Sequence, residues 1–210
     1  MGGDRIRLEN CRMTAPIDIT LYFNFRSPYC YLASKKMFTL VDDHGGRFIW
    51  RPLGGWAGRS PPERAKYKIP IVRQDIARWC RRMGIPYKPP PITTDPTIAA
   101  AGSLFAEQQG CLREYIVAVM AREWADGCDI GDPEVLLDVG ESVGLDREAL
   151  AQTIRDEEVL ATLERNHEEA SERGAFGVPT FIIGDHIFWG QDRIDFVAEY
   201  LDELCGEAAM

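Results

Sequence analysis

The residues best suited to chemistry lie near the start of the chain, at Arg26-Ser27-Pro28-Tyr29-Cys30. Proline is favoured at the first position of a helix, where its missing N–H would have no partner, and Ser27 just before it is a preferred N-cap. A hydroxyl so placed sits among unpaired backbone N–H groups at the positive end of a helix dipole. Serine cannot form a disulfide, so this position cannot cycle electrons. It can donate a hydrogen bond to a thiolate supplied from outside. Helix-terminus stabilisation and one charge-assisted hydrogen bond, each on the order of 1–3 kcal/mol, would lower a thiol pKa by about one or two units. Taken alone, a serine before proline reads first as a helix cap. Cys30, one turn further on, has no cysteine partner at position 27 and reads as a packing residue.

Other chemistries are disfavoured. The six cysteines (Cys11, Cys30, Cys80, Cys111, Cys128, Cys205) never approach the close spacing of a zinc site or a redox dithiol, and the three histidines (His44, His167, His186) are scattered. No metal centre is expected, and the cysteines read as small apolar residues in a reducing compartment. The chain has 210 residues, 24 Lys+Arg against 33 Asp+Glu, and a net charge of -9. Its field repels polyanions, which disfavours nucleic acid and anionic membrane as partners. No apolar run is long enough for a membrane span and Met1 to Pro16 has no apolar secretory core, so a cytoplasmic protein is expected. Hydrophobic residues at 45% and aromatic residues at 10% fit a folded globular chain of one domain, or one domain with a sizeable insertion.

Several elements must position Ser27. Ile17 to Phe25 alternates at period two with branched and aromatic residues, as a strand does, and Tyr29 to Asp43 reads as the helix after it. A second strand follows at Arg47 to Arg51, and the connection length makes the pair parallel. Gly54 to Pro70 reads as a loop, and Ile71 to about Arg173 carries helical spacing, with a proline-rich break at Tyr87 to Pro96 and helix starts at Asp132-Pro133 and Asp146. Sheet patterning resumes at Val178 to Ile183, turns at Gly184-Asp185 and returns through His186 to Trp189; Asp192 then caps a terminal amphipathic helix. The order is an α/β one: a thioredoxin-like domain (15–60 and 174–210) interrupted by an all-helical insertion (61–173).

Two stretches carry a family likeness. Phe23-Asn24-Phe25-Arg26-Ser27-Pro28-Tyr29-Cys30-Tyr31-Leu32-Ala33 resembles the strand-to-helix turn of the DsbA-like superfamily, in the branch of 2-hydroxychromene-2-carboxylate isomerases and kappa-class glutathione transferases. Gly177-Val178-Pro179-Thr180-Phe181 with Phe188-Trp189-Gly190-Gln191-Asp192-Arg193 is similar to that branch's second signature, and Asp75-Ile76-Ala77-Arg78-Trp79 and Gly84-Ile85-Pro86 are similar to its helical insert. The resemblance spans roughly residues 17–204 and implies a cis bond before Pro179, glutathione as the thiol, and a thiolate held by Ser27. It implies further that the Val178 backbone pairs with the cysteinyl part of glutathione, that Gln191 and Asp192 hold the γ-glutamyl end, and that Lys68 meets the glycine carboxylate. The loop from Leu53 to Ser60 lacks an asparagine that many isomerases of the branch carry, with Ser60 as a stand-in.

The second substrate is expected between the thioredoxin part and the helical insert, where Arg26, Trp56, Arg59 and Trp79 offer cations and flat apolar surface for an aromatic carboxylate. The resemblance implies a glutathione-dependent isomerase of an aromatic or conjugated keto or hydroxy acid, with a homodimer as a common arrangement. A kappa-like glutathione transferase acting on electrophiles, and a non-catalytic binding protein on the same scaffold, are the alternatives.

Overall fold

The computed structural model describes residues 15–55 and 62–208. Strand β1 (Ile17–Phe23) lies in the middle of the sheet, so both of its faces must be buried. Ile19, Leu21 and Phe23 enter one apolar cluster and Tyr22, on the other face, enters another. Strand β2 (Gly46–Pro52) pairs with β1 in parallel, from Ile17 opposite Gly46 to Phe23 opposite Pro52. On the other side β3 (Thr180–Ile183) pairs with β1 antiparallel and continues into β4 (His186–Trp189), giving the order β2-β1-β3-β4.

The helix expected over Tyr29 to Asp43 is divided into α1 (Pro28–Ala33) and α2 (Thr39–Asp42). The Ser34 hydroxyl donates to the Tyr31 carbonyl at 2.8 Å, and the amides of Lys35, Lys36 and Thr39 bond three residues back. These tighter bonds close the chain down between the two helices. A second departure is the start of α3 (Pro62–Met83), which includes much of the stretch expected as a loop and takes Pro70 into its interior. Proline already has a helical φ and forfeits a single backbone bond, which the surrounding turns tolerate at a cost.

Four helices follow, α4 (Thr97–Gln108), α5 (Leu112–Trp124), α6 (Pro133–Ser142) and α7 (Arg147–Thr153), and among the described residues 62–173 contain no strand. Asp132 and Asp146 cap α6 and α7 as expected, accepting from Glu134 N at 3.0 Å and Ala149 N at 2.7 Å. Buried Ala99, Ala100, Gly102 and Ser103 let other side chains reach the α4 backbone: Tyr115 Oη donates to the Ala99 carbonyl at 3.1 Å. From the sheet, Trp50 Nε1 donates to Ser103 Oγ at 2.9 Å.

The next helix, α8 (Glu157–Glu172), lies on the face of the sheet marked by Tyr22. Asn166 Nδ2 donates to the Pro52 carbonyl at 3.0 Å, and the Glu169 carboxylate accepts from Tyr22 Oη at 2.9 Å and Arg51 Nε at 2.8 Å. The opposite face is covered by α9 (Ile194–Ala208) through buried Ile194, Val197 and Leu201. Cys30, Cys80, Cys111 and Cys128 are free thiols, the first two buried. Among the described residues no helix is long and apolar enough to cross a membrane, and no group of three His, Cys, Asp or Glu side chains is placed to hold a metal ion.

The Glu169 network gives acid sensitivity a defined source. Burial alone would raise this carboxyl, but hydrogen bonds from Arg51 and Tyr22 and the charges of Arg51 and Arg173 outweigh it and hold the group below its usual range. A carboxyl lowered in the folded state contributes stability above its unfolded value of about 4.3 and loses it as pH falls through the lower folded value. Glu169→Gln should therefore be less stable than the parent at pH 7, with the difference shrinking below about pH 4.3. Urea unfolding of both proteins across that range checks this; a difference that stays constant with pH would exclude the carboxylate as its source.

Candidate functional site

The site is built where β1 ends inside the protein. Asn24, 3% exposed, turns the chain there: its Oδ1 accepts from Arg26 N at 2.8 Å, and its backbone carbonyl accepts from Ser27 N at 2.9 Å. Its Nδ2 donates to the Leu53 carbonyl at 3.2 Å, tying the turn to the end of β2. Asparagine bonding the backbone two residues on is a common turn device. Nothing in the sequence reading assigned Asn24 this role, although an asparagine two residues before Arg26 at a strand end is the signal that would have found it.

Ser27 follows with φ -88° and ψ 119°, the N-cap conformation expected. Its Oγ accepts from Cys30 N at 3.4 Å and donates to the Val178 carbonyl, also at 3.4 Å. Both contacts are at the long limit for hydrogen bonds, so the hydroxyl can turn toward a stronger acceptor at little cost. Because α1 is only six residues long, the nearby backbone amides matter here more than a long helix dipole. Cys30 is fully buried, and desolvation pushes its thiol up to about 12 against the lowering effect of hydrogen bonds from Asn24 and Ser27. It is a packing residue and no thiolate at neutral pH.

The Val178-Pro179 peptide bond is cis. The Val178 carbonyl meets Ser27, while the Pro179 carbonyl accepts from Gly190 N at 2.9 Å. That bond brings the Gln191–Arg193 turn, a single turn of 3₁₀-helix, beside the cis-proline loop and against α1. Gly190 has φ 110° and ψ 155°, a region that is essentially glycine-only, and a Cβ there would stand 2.7 Å from Asp192 Oδ1. Gly177 is similarly constrained, since its Cβ would meet the Trp189 indole nitrogen at 2.5 Å. Asp192 does not cap the terminal helix. It lies within the 3₁₀ turn, exposed, with its carboxylate 3.1 Å from Arg193, and α9 starts directly after that turn.

The remaining candidates are dispersed. The Arg26 side chain reaches the helical insertion, where it donates to the Pro91 carbonyl at 2.9 Å and faces Glu123 at 3.5 Å. Lys68 is exposed on α3. Trp79 is half-buried on the same helix under the Arg82 guanidinium, and with Asp75, Arg78 and Arg82 it lines a cavity of about 240 Å³. Trp56, Arg59 and Ser60 lie outside the described residues. Tyr29 connects this face of α3 to the site: its Oη donates to Asp75 Oδ2 at 3.0 Å, and burial, then Asp75 and Asp192, push the phenol up to about 12.

A half-buried serine turn facing a cis-proline loop is thus what the fold presents. The family model for the DSBA-like thioredoxin domain matches residues 18–202. The chain is 33% identical over 200 residues to the 2-hydroxychromene-2-carboxylate isomerase of Sphingobium xenophagum, covering 90% of this chain and 99% of that one. It is 24% identical over 205 residues to glutathione S-transferase kappa 1 of Caenorhabditis elegans, covering 88% and 91%. A solved structure of a 2-hydroxychromene-2-carboxylate isomerase superposes with a TM-score of 0.80 at 26% identity over 92% of this chain and 98% of that chain. The chain belongs to the DSBA-like thioredoxin domain family, in the branch that holds the 2-hydroxychromene-2-carboxylate isomerases and the kappa-class glutathione transferases.

Proposed function

We propose that this protein is a glutathione-dependent isomerase of an aromatic or conjugated keto or hydroxy acid. The observation that carries this reading is the Ser27 hydroxyl, weakly held by the Val178 carbonyl at 3.4 Å, beside a Cys30 thiol that is buried and protonated. In this reading the thiol comes from a ligand. The name of one relative, a glutathione S-transferase, supports glutathione as its source.

In this reading Ser27 Oγ releases Val178 and donates to the glutathione sulfur, stabilising the thiolate. The Val178 backbone aligns the cysteinyl part as a short added strand. Gln191 and Asp192, set by the Gly190 conformation beside Pro179, receive the γ-glutamyl end, with Asp192 pairing with its ammonium group. Lys68 takes the glycine carboxylate. The thiolate adds to a conjugated carbon of the substrate, its electron pair forming the new C–S bond while the displaced π electrons move onto the carbonyl oxygen. The former double bond is then a single bond and rotates. Return of those electrons expels the thiolate, regenerating glutathione with the new geometry fixed. The protein contributes thiolate stabilisation and orientation. The substrate cation role is assigned to Arg59 and the aromatic surface to Trp56 and Trp79. Arg26, whose side chain is engaged by the insertion, is removed from this role.

A kappa-like transferase would use the same thiolate without reversing the addition. Total glutathione, assayed before and after complete conversion of 2-hydroxychromene-2-carboxylate as the test substrate, should be unchanged; stoichiometric consumption would replace the isomerase reading with the transferase one.

Ser27→Ala should lower turnover by about 10²-fold while weakening glutathione binding much less, because the hydroxyl acts chiefly on the thiolate. The pKa of bound glutathione, followed by thiolate absorbance, should rise in this variant. A value as low as in the parent would reduce Ser27 to a helix cap.

Asp192→Asn should show the complementary pattern, with a weakened glutathione dissociation constant and a bound-thiol pKa close to that of the parent. Calorimetric titration with glutathione checks the first part, and unchanged affinity would remove Asp192 from the site.

A further inference from the structure

Arg26 and Glu123 form a largely buried ion pair: their side chains are 9% and 0% exposed. The Arg26 Nη1 to Glu123 Oε1 distance of 3.5 Å is longer than a well-formed charge-assisted hydrogen bond, and Arg26 Nε finds no acceptor among the described residues. Burying such a pair is expensive, and apolar residues of similar volume are often as stable or more so. Stability therefore does not account for it.

Its location does. Arg26 immediately precedes Ser27, and the backbone N–H groups of both are held by Asn24. The Arg26 side chain crosses to the helical insertion, donating to the Pro91 carbonyl at 2.9 Å and lying 5.2 Å over the Trp124 ring. Trp124 stacks on Tyr87 with ring planes 9° apart, and its Nε1 returns a hydrogen bond to the Phe25 carbonyl at 3.1 Å. Residues 24–27 are thereby fixed by contacts from α5 and the 87–91 segment. At Cys30, one turn beyond Ser27, the Glu123 charge adds to burial in raising the thiol. Burial lowers the Arg26 guanidinium, Glu123 and Asp129 hold it up, and Arg73 and Tyr87 act on it as well.

We propose that the buried Arg26–Glu123 pair sets the electrostatic potential at position 27, making both positioning residues for the thiolate that neither touches. Arg26 supplies positive potential beside the sulfur, and Glu123 moderates it and holds the guanidinium in place. The role for a glutathione thiolate rests on the function proposed above, but the potential itself can be read without glutathione.

The test uses Ser27→Cys as a reporter in a Cys30→Ala background, which prevents a 27–30 disulfide, with the thiol pKa at position 27 obtained from the pH dependence of its alkylation, followed by peptide mass spectrometry. Arg26→Met in that background should raise the pKa and Glu123→Gln should lower it, each by on the order of one unit, as expected for loss of one charge nearby in partly buried surroundings. The double variant Arg26→Met/Glu123→Met should return close to the parent. Opposed shifts are something a packing role would not produce. Shifts of the same sign, or no shift in Glu123→Gln, would overturn the proposal; if Arg26→Met does not fold, the sign of the Glu123→Gln shift still decides. Glutathione binding to the parent protein is measured alongside. If it is absent while the opposed shifts appear, the proposed function fails and this inference stands; if glutathione binds and the shifts are missing, this inference fails alone.

Discussion

Strand β1 ends in the interior, and its backbone must leave the sheet where no water is available to satisfy it. A buried N–H or carbonyl without a partner costs on the order of 1–3 kcal/mol, so the turn after Phe23 survives only if every polar group finds a bond. The Asn24 amide and carbonyl meet that demand, binding Arg26 N, Ser27 N and the Leu53 carbonyl. Ser27 is consequently presented in one conformation, toward the cis bond between Val178 and Pro179. Two distant stretches of chain become one site because β1 and β3 are neighbours in the sheet.

Rigidity around this turn is unevenly distributed. The Val178-Pro179 loop is fixed by the Gly190 N–H on the Pro179 carbonyl and by the Trp189 indole against Gly177. Arg26 is held by the insertion through Pro91, Glu123 and Trp124. Against this background the Ser27 hydroxyl stands out, with two long contacts of 3.4 Å. A fixed frame holding one loosely bonded donor suits a ligand that arrives with a strong acceptor, because the donor's present bonds cost little to exchange.

A fold by itself does not determine a reaction. Here serine stands at position 27, and Cys30, with its thiol pushed up to about 12 by burial, is out of reach as a nucleophile. Positions 27 and 30 therefore cannot form a redox pair, and α3 and the Gln191–Arg193 turn bring their surfaces up to α1.

Much of this was readable from residue types. The period-two run at Ile17 to Phe25 and the sheet pattern at Val178 to Ile183 specified strands, Ser27-Pro28 specified a capped helix start, and Asp132 and Asp146 marked caps, because each depends on contacts within a few residues. Local signals failed where distant partners decide. Pro70 read as a loop but lies inside α3; Asp192 read as a cap but lies in a 3₁₀ turn set by the Gly190 bond to Pro179. Arg26 read as a cation for a substrate, whereas its partner Glu123 is 97 positions away and fully buried, a pairing that no spacing rule relates to Ser27. Sequence determined which groups were available and which short elements would hold them; tertiary structure decided which groups face each other, because desolvation and charge pairing depend on neighbours that only the packed sheet and insertion bring into contact.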